Sequence, residues 1–291
     1  MPPTTSTVAT APLDPRRSSR LWRWLRLPVI AYLLVILLLL VLENSLIFPA
    51  ARYPAGEWNA AACGARDVEF SSSDGVKLHG WLVEHAEPRA HVLYCHGNGD
   101  CVGYLGDYLR NLSRQHQVTV FAFDYRGYGK SEGSPDEAGV LRDSAAARDW
   151  LAQECGLQPD EVVLMGRSLG GAVAVDLAAR DGARGLVVQS SFTSMPDVAG
   201  NLYRFLPVRY LMRTQFNSLT KIGNYCGPLL QSHGTADELV PLALGRRLFD
   251  AAPGRKEFFE IKGGTHNDPE PPAYDSRLKV FLESLPRSAR E

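Results

Sequence analysis

Cysteine is sparse in this chain. The five cysteines among 291 residues, Cys63, Cys95, Cys101, Cys155 and Cys226, show none of the short spacings that build thiolate metal sites. Most of them therefore read as small apolar residues, with one disulfide left open if the chain faces an oxidising compartment. Excess charge of one sign is lacking too: the formal net charge is −1 and no basic block follows residue 50, which argues against nucleic acid as a partner. There is no internal repeat and no long linker after residue 60. The roughly 240 residues beyond residue 50 suit one α/β domain and leave little room for a second.

One long hydrophobic run is present. The chain starts rich in Thr, Pro and Ala without an apolar period, so residues 1–20 are expected to form a disordered tail. Arg16, Arg17, Arg20, Arg23 and Arg26 follow, with Trp22 and Trp24 among them, and then an uncharged run from Leu27 to Leu42, stopped by Glu43 and Asn44. Those sixteen residues span about 24 Å as a helix, short of a hydrocarbon core of about 30 Å. Leu25 and Arg26 on one side and Ser45-Leu46-Ile47-Phe48 on the other could make up the deficit. The expectation is a transmembrane anchor over 21–48. A cleaved signal peptide is the rival, lacking a small-x-small site close by, and a buried or peripheral element is the third reading. Arginines before the run and only Arg52 soon after it put the tail in the cytoplasm and the large domain on the opposite side of the membrane.

Beyond the run, Val68–Ser71 and Lys77–Val83 read as an antiparallel hairpin across Ser73-Asp74-Gly75. Short all-apolar strands then alternate with helical stretches. His91–Cys95, Val118–Phe123, Glu161–Met165, Gly185–Gln189, Pro228–Ser232 and Glu257–Ile261 are the strands; Val102–Gln115, Asp136–Gln153, Leu169–Arg180, Pro241–Ala252 and Tyr274–Leu285 are the helices. Strands without polar alternation are covered on both faces, as in a mostly parallel, doubly wound sheet with its functional loops at the strand C-termini. Phe192 to Cys226 is too long for an ordinary loop and predicts a small cap over the site, the alternative being a surface helix packed by its own aromatics.

The chemistry centres on Gly166-Arg167-Ser168-Leu169-Gly170, preceded by the strand Glu161–Met165 and followed by a helix of small residues. Glycines on both sides let the chain bend sharply enough to lift a serine oxygen clear of its backbone, and the helix start offers unpaired amides to a developing negative charge. A second match, Gly129-Lys130-Ser131-Glu132-Gly133, lies several residues past its strand and runs into a turn, so context selects Ser168. A serine needs a base and the base an orienting acid. His96-Gly97-Asn98-Gly99 after the third strand can bring the Asn98 amide beside that of Leu169 as an oxyanion pair. Asp237, in His233-Gly234-Thr235-Ala236-Asp237, is the candidate acid; Glu238 beside it is the alternative, and Asp237 could instead cap the following helix. His266, in Gly264-Thr265-His266-Asn267-Asp268, is the candidate base, while His96 and His233 read as loop-stabilising hydrogen-bond partners. Ser168, Asp237, His266 is the chain order of the strand-turn-helix nucleophile architecture.

Together with Asp124-Tyr125-Arg126-Gly127-Tyr128-Gly129-Lys130-Ser131, these stretches closely resemble the membrane-anchored α/β-hydrolase-domain serine hydrolases, related to the prolyl-oligopeptidase and dienelactone-hydrolase branches. The resemblance runs from about residue 44 to 286. It implies an α/β-hydrolase fold over 49–291 with a cap insertion at about 192–226, and a structural role for the Asp124–Ser131 loop beside the nucleophile. It also implies hydrolysis of a carboxylic ester or thioester through an acyl-enzyme, with no metal or organic cofactor and a small-molecule or lipid acyl substrate. A serine aminopeptidase or oligopeptidase, for which Glu132, Asp136 and Asp197 would have to hold an amine, and a non-catalytic binding module on the same fold are the rivals.

Overall fold

The computed structural model describes residues 15–286, with side chains described from Arg26 onward. The chain separates into two compact units, one ending at Leu42 and the other starting at Glu43. In the first, helix α1 runs Pro15–Val41. Residues 1–14 of the expected tail lie outside the described residues, and Pro15 to Arg20 are helical rather than tail. Among the described residues no helix is long and apolar enough to cross a membrane, so the expected transmembrane segment over 21–48 is not supported. The reason lies at its C-terminal end. A second helix, α2 (Glu43–Ile47), belongs to the following unit, and Glu43, Ile47 and Phe48 are buried there. Of the residues that were to lengthen the apolar run, Ile47 and Phe48 serve a protein core instead, while Ser45 and Leu46 are exposed.

The second unit is built on one eight-stranded sheet in the order β1-β2-β4-β3-β5-β6-β7-β8. β1 (Arg66–Ser71) and β2 (Lys77–Val83) form the expected hairpin, and β2 also pairs antiparallel with β4 (Val118–Phe123). From β4 onward all pairings are parallel, through β3 (Ala90–Cys95), β5 (Val163–Arg167), β6 (Gly185–Gln189), β7 (Leu229–Gly234) and β8 (Lys256–Ile261). Every residue of β4, β6 and β7 is buried, as strands covered on both faces should be, and the burial extends to the polar Gln231, Ser232 and His233 of β7.

Helices α3 (Val102–His116), α4 (Glu137–Cys155), α5 (Leu169–Asp181) and α9 (Leu242–Ala251) lie in the crossovers, and α10 (Pro272–Glu283) follows the last strand. Between β6 and β7 come three short helices, α6 (Met195–Leu202), α7 (Val208–Leu211) and α8 (Ser218–Lys221). That stretch divides its aromatics: Phe192, Phe216 and Tyr225 are buried, whereas Tyr203, Phe205 and Tyr210 are exposed. Phe216 meets Phe48 edge-on at 6.2 Å, which ties the stretch to the segment entering from α2. All five cysteines are free thiols, and Cys63, Cys95 and Cys101 are buried.

The strand order sets the site. β3 lies between β4 and β5, so the chain leaving β3 turns one way to α3 while the chain leaving β5 turns the other way to α5. Their C-terminal ends sit side by side, with Cys95 opposite Gly166. Such a switch point opens a crevice at the strand ends.

Candidate active site

Ser168 occupies the single residue between β5 and α5, at φ 52° and ψ −116°. A non-glycine residue is strained there, and the surroundings hold it: the Ser168 amide donates to Gln189 O at 2.8 Å, and Ser191 Oγ donates to Ser168 O at 2.9 Å. The flanking glycines are required by space. A Cβ on Gly166 would overlap the backbone of Gly170, and one on Gly170 would overlap the Cys95 carbonyl. The bend thus presses β5, α5 and the end of β3 against one another, leaving the serine hydroxyl part-exposed at the crevice.

His266, in the loop after β8, places Nε2 3.0 Å from Ser168 Oγ and Nδ1 2.7 Å from Asp237 Oδ2. A carboxylate only accepts, so Nδ1 carries the proton and Nε2 is free to accept from the serine hydroxyl. Asp237 sits after β7 with a fully buried carboxylate, and its two oxygens divide two jobs. Oδ1 accepts the amides of Leu239 and Val240 at 3.1 and 2.8 Å, the turn-capping role raised from sequence, while Oδ2 faces the imidazole. Glu238, the alternative acid, is exposed. Burial opposes ionisation of Asp237, but hydrogen bonds from His233 and His266 and the Val240 amide outweigh it and hold the carboxyl well below the usual carboxylate range.

His233 does more than its sequence reading foresaw. Its Nε2 donates to Val240 O at 2.8 Å and lies 3.4 Å from Asp237 Oδ2, so Asp237 stands between two histidines. The signal was present in the His233-to-Asp237 spacing across a single turn, but no periodicity marks it.

The loop after β3 approaches the serine closely. A Cβ built on Gly97 would lie 3.9 Å from Ser168 Cβ, which brings the next residue, Asn98, alongside the nucleophile turn. Leu169 is the first residue of α5, where an amide has no acceptor inside its own helix. The Asn98 side chain is braced from both ends: Tyr128 Oη donates to its Oδ1 at 2.7 Å, and its Nδ2 donates to Ile47 O. Tyr125 Oη donates to His96 O at 3.0 Å. The Asp124–Ser131 loop therefore supports the β3 loop by two tyrosine hydroxyls. Ser131 is enclosed within it, its Oγ donating to Asp124 O at 2.6 Å and accepting from the His79 amide at 2.9 Å. Among the described residues no group of three or more His, Cys, Asp or Glu side chains is arranged to hold a metal ion.

A hydroxyl, an imidazole and a buried carboxylate in series can move a proton off the hydroxyl, and the helix start beside them favours negative charge. Three comparisons bear on the family and the fold. An uncharacterised protein of Mycobacterium tuberculosis is 35% identical over 275 residues, covering 91% of this chain and 95% of its own. The Arabidopsis thaliana alpha/beta hydrolase domain-containing protein WAV2 is 30% identical, covering 77% and 80%. Among solved structures, the Pyrococcus furiosus esterase Pf2001 superposes with a TM-score of 0.67 at 21% identity, covering 81% of this chain and 99% of that one, a likeness of fold. With residues 92–283 matching the family's sequence model as well, the chain belongs to the alpha/beta hydrolase family.

Proposed function

We propose that the protein is a serine hydrolase that cleaves carboxylic esters or thioesters through an acyl-enzyme. The observation that carries this reading is the run Ser168 Oγ, His266 Nε2 at 3.0 Å and His266 Nδ1 to Asp237 Oδ2 at 2.7 Å. His266 takes the serine proton as Oγ attacks the acyl carbon, and the ionised Asp237 stabilises the imidazolium that forms. The amides of Asn98 and Leu169 receive the oxyanion, and collapse of the tetrahedral species expels the alcohol or thiol, which takes its proton from His266. Water, activated by the same imidazole, then releases the acyl group.

The rival amine-recognising reading has less support, because two of its three acids are engaged and the third, Glu132, is exposed. Asp136 caps α4 by accepting the Gly139 amide at 2.7 Å, and Asp197 pairs with Arg209 at 2.7 Å. Membrane association belongs to the same proposal. Leu33, Leu34 and Leu37 are each more than half exposed on α1, which supports seating the 27–42 stretch in a bilayer; the arginines before that stretch favour a cytoplasmic tail, and an acyl chain drawn from lipid or acyl-protein follows from that placement.

The test is turnover of p-nitrophenyl esters and acyl thioesters of graded chain length by the full chain in detergent. Hydrolysis that falls by more than about 10³-fold in both Ser168→Ala and His266→Gln is expected. Equal turnover by wild type and Ser168→Ala would end the serine reading.

A further inference from the structure

The imidazole rides on a loop with little structure of its own. Between β8 and α10 the chain passes through Gly263, at φ 71°, and Gly264 before reaching His266. Its ties to the end of β8 and to the turn after β7 lie early, where the Gly263 amide donates to Thr235 Oγ1 at 2.8 Å, the Gly264 amide donates to Ile261 O at 3.0 Å, and Gly264 O accepts the Ala236 amide at 2.9 Å. Past them, the Thr265 amide donates within the loop to Asp268 Oδ2 at 2.7 Å. A glycine-led loop so held leaves the backbone of residue 266 in need of an outside anchor.

That anchor comes from the residue next to the nucleophile. Arg167 ends β5, and its Nη2 donates to His266 O at 2.7 Å and to Asp268 O at 3.2 Å. Its Nη1 faces Glu270 Oε1 at 3.8 Å, an ion pair in which the side chains are only 20% and 12% exposed. The planar guanidinium thus reaches three residues of one loop from a backbone position one bond away from Ser168. Lysine has no such fork and could hold only part of this set.

We propose that Arg167 is a positioning residue, cross-linking the serine turn to the histidine loop so that the imidazole stays in bonding reach of both Ser168 and Asp237. It touches no reacting atom; it acts through His266. The inference rests on the serine-hydrolase reading and gives the residue between Gly166 and Ser168, unremarked in the sequence, a defined part in it.

The experiment compares the full chain with Arg167→Met, Arg167→Lys and Arg184→Met, reading the acylation rate with a fluorophosphonate probe, ester kcat and KM, and thermal stability. Arg184 is a matched control, since it also donates to two backbone carbonyls, Pro286 O at 2.7 Å and Arg89 O at 3.1 Å, remote from Ser168. Arg167→Met should lower acylation and kcat on the order of 10²-fold with KM within about twofold, as expected when a reacting group is displaced by about 1 Å. Arg167→Lys should fall between, and Arg184→Met should keep wild-type kcat whatever it loses in stability. If Arg167→Met does not fold, an Arg167→Lys enzyme of unchanged kcat overturns the proposal. Wild-type kcat in Arg167→Met, or an equal loss in Arg184→Met, overturns it as well. A wild-type protein inert to the probe would instead sink the serine-hydrolase reading itself.

Discussion

Asp237 shows how much one side chain carries at this site. Its carboxylate is fully buried, caps a turn with one oxygen and orients an imidazole with the other, and His233 backs it from the far side. Because its folded pKa is depressed, its ionised form stabilises the fold above the ordinary aspartate value of about 3.9, and that contribution is lost as pH falls through the folded value. Chemical denaturation of wild type and Asp237→Asn across pH should therefore show a stability gap that is full near neutrality and narrows below about pH 4. Activity should fall with the same substitution at neutral pH by about 10⁴-fold, because an amide lets the imidazole adopt the wrong tautomer.

At the scale of elements, the strand-to-helix turn is the tightest feature. Gly170 packs on the Cys95 carbonyl so closely that any Cβ intrudes, and β3, β5 and α5 all meet there. Gly170→Ala should cost about 1–3 kcal/mol or more in equilibrium unfolding, against near-neutral behaviour for Gly223→Ala, where a Cβ meets open space. This turn was legible in the sequence because two constraints coincide in five residues, a strand of pure apolar character and glycines where space forbids anything else. The sheet was legible for a similar reason, as buried strands announce themselves by composition, with ends differing by only a residue or two. The ties between loops were not. Arg167 reaching His266 across a separation of 99 residues, or Tyr128 bracing Asn98 across 30, depends on which strand ends the topology places side by side, and no local pattern encodes that.

For the whole molecule, the instructive boundary is at residue 43. Glu43 buries its carboxylate against the amides of Arg213 and Thr214, with Oε1 3.0 and 2.7 Å from them. Ile47 O holds Asn98, and Phe48 packs on Phe216. The segment after the apolar helix is therefore part of the enzyme domain, although its sequence reads as the end of a membrane run. A fragment beginning at Glu43 should melt at least about 6 °C above one beginning at Ala55, taking about 3 kcal/mol for the loss of a buried aromatic and about 2 °C per kcal/mol for a domain of this size. Under the proposed mechanism Ser168, Asp237 and His266, 98 residues apart at their extremes, work as one proton-transfer unit. Its most direct test is covalent: treat the full chain with a fluorophosphonate and map the adduct by peptide mass spectrometry. The account predicts one adduct on Ser168, absent in Ser168→Ala and slowed by orders of magnitude in His266→Gln; an adduct on Ser131 or elsewhere, or none, would contradict it.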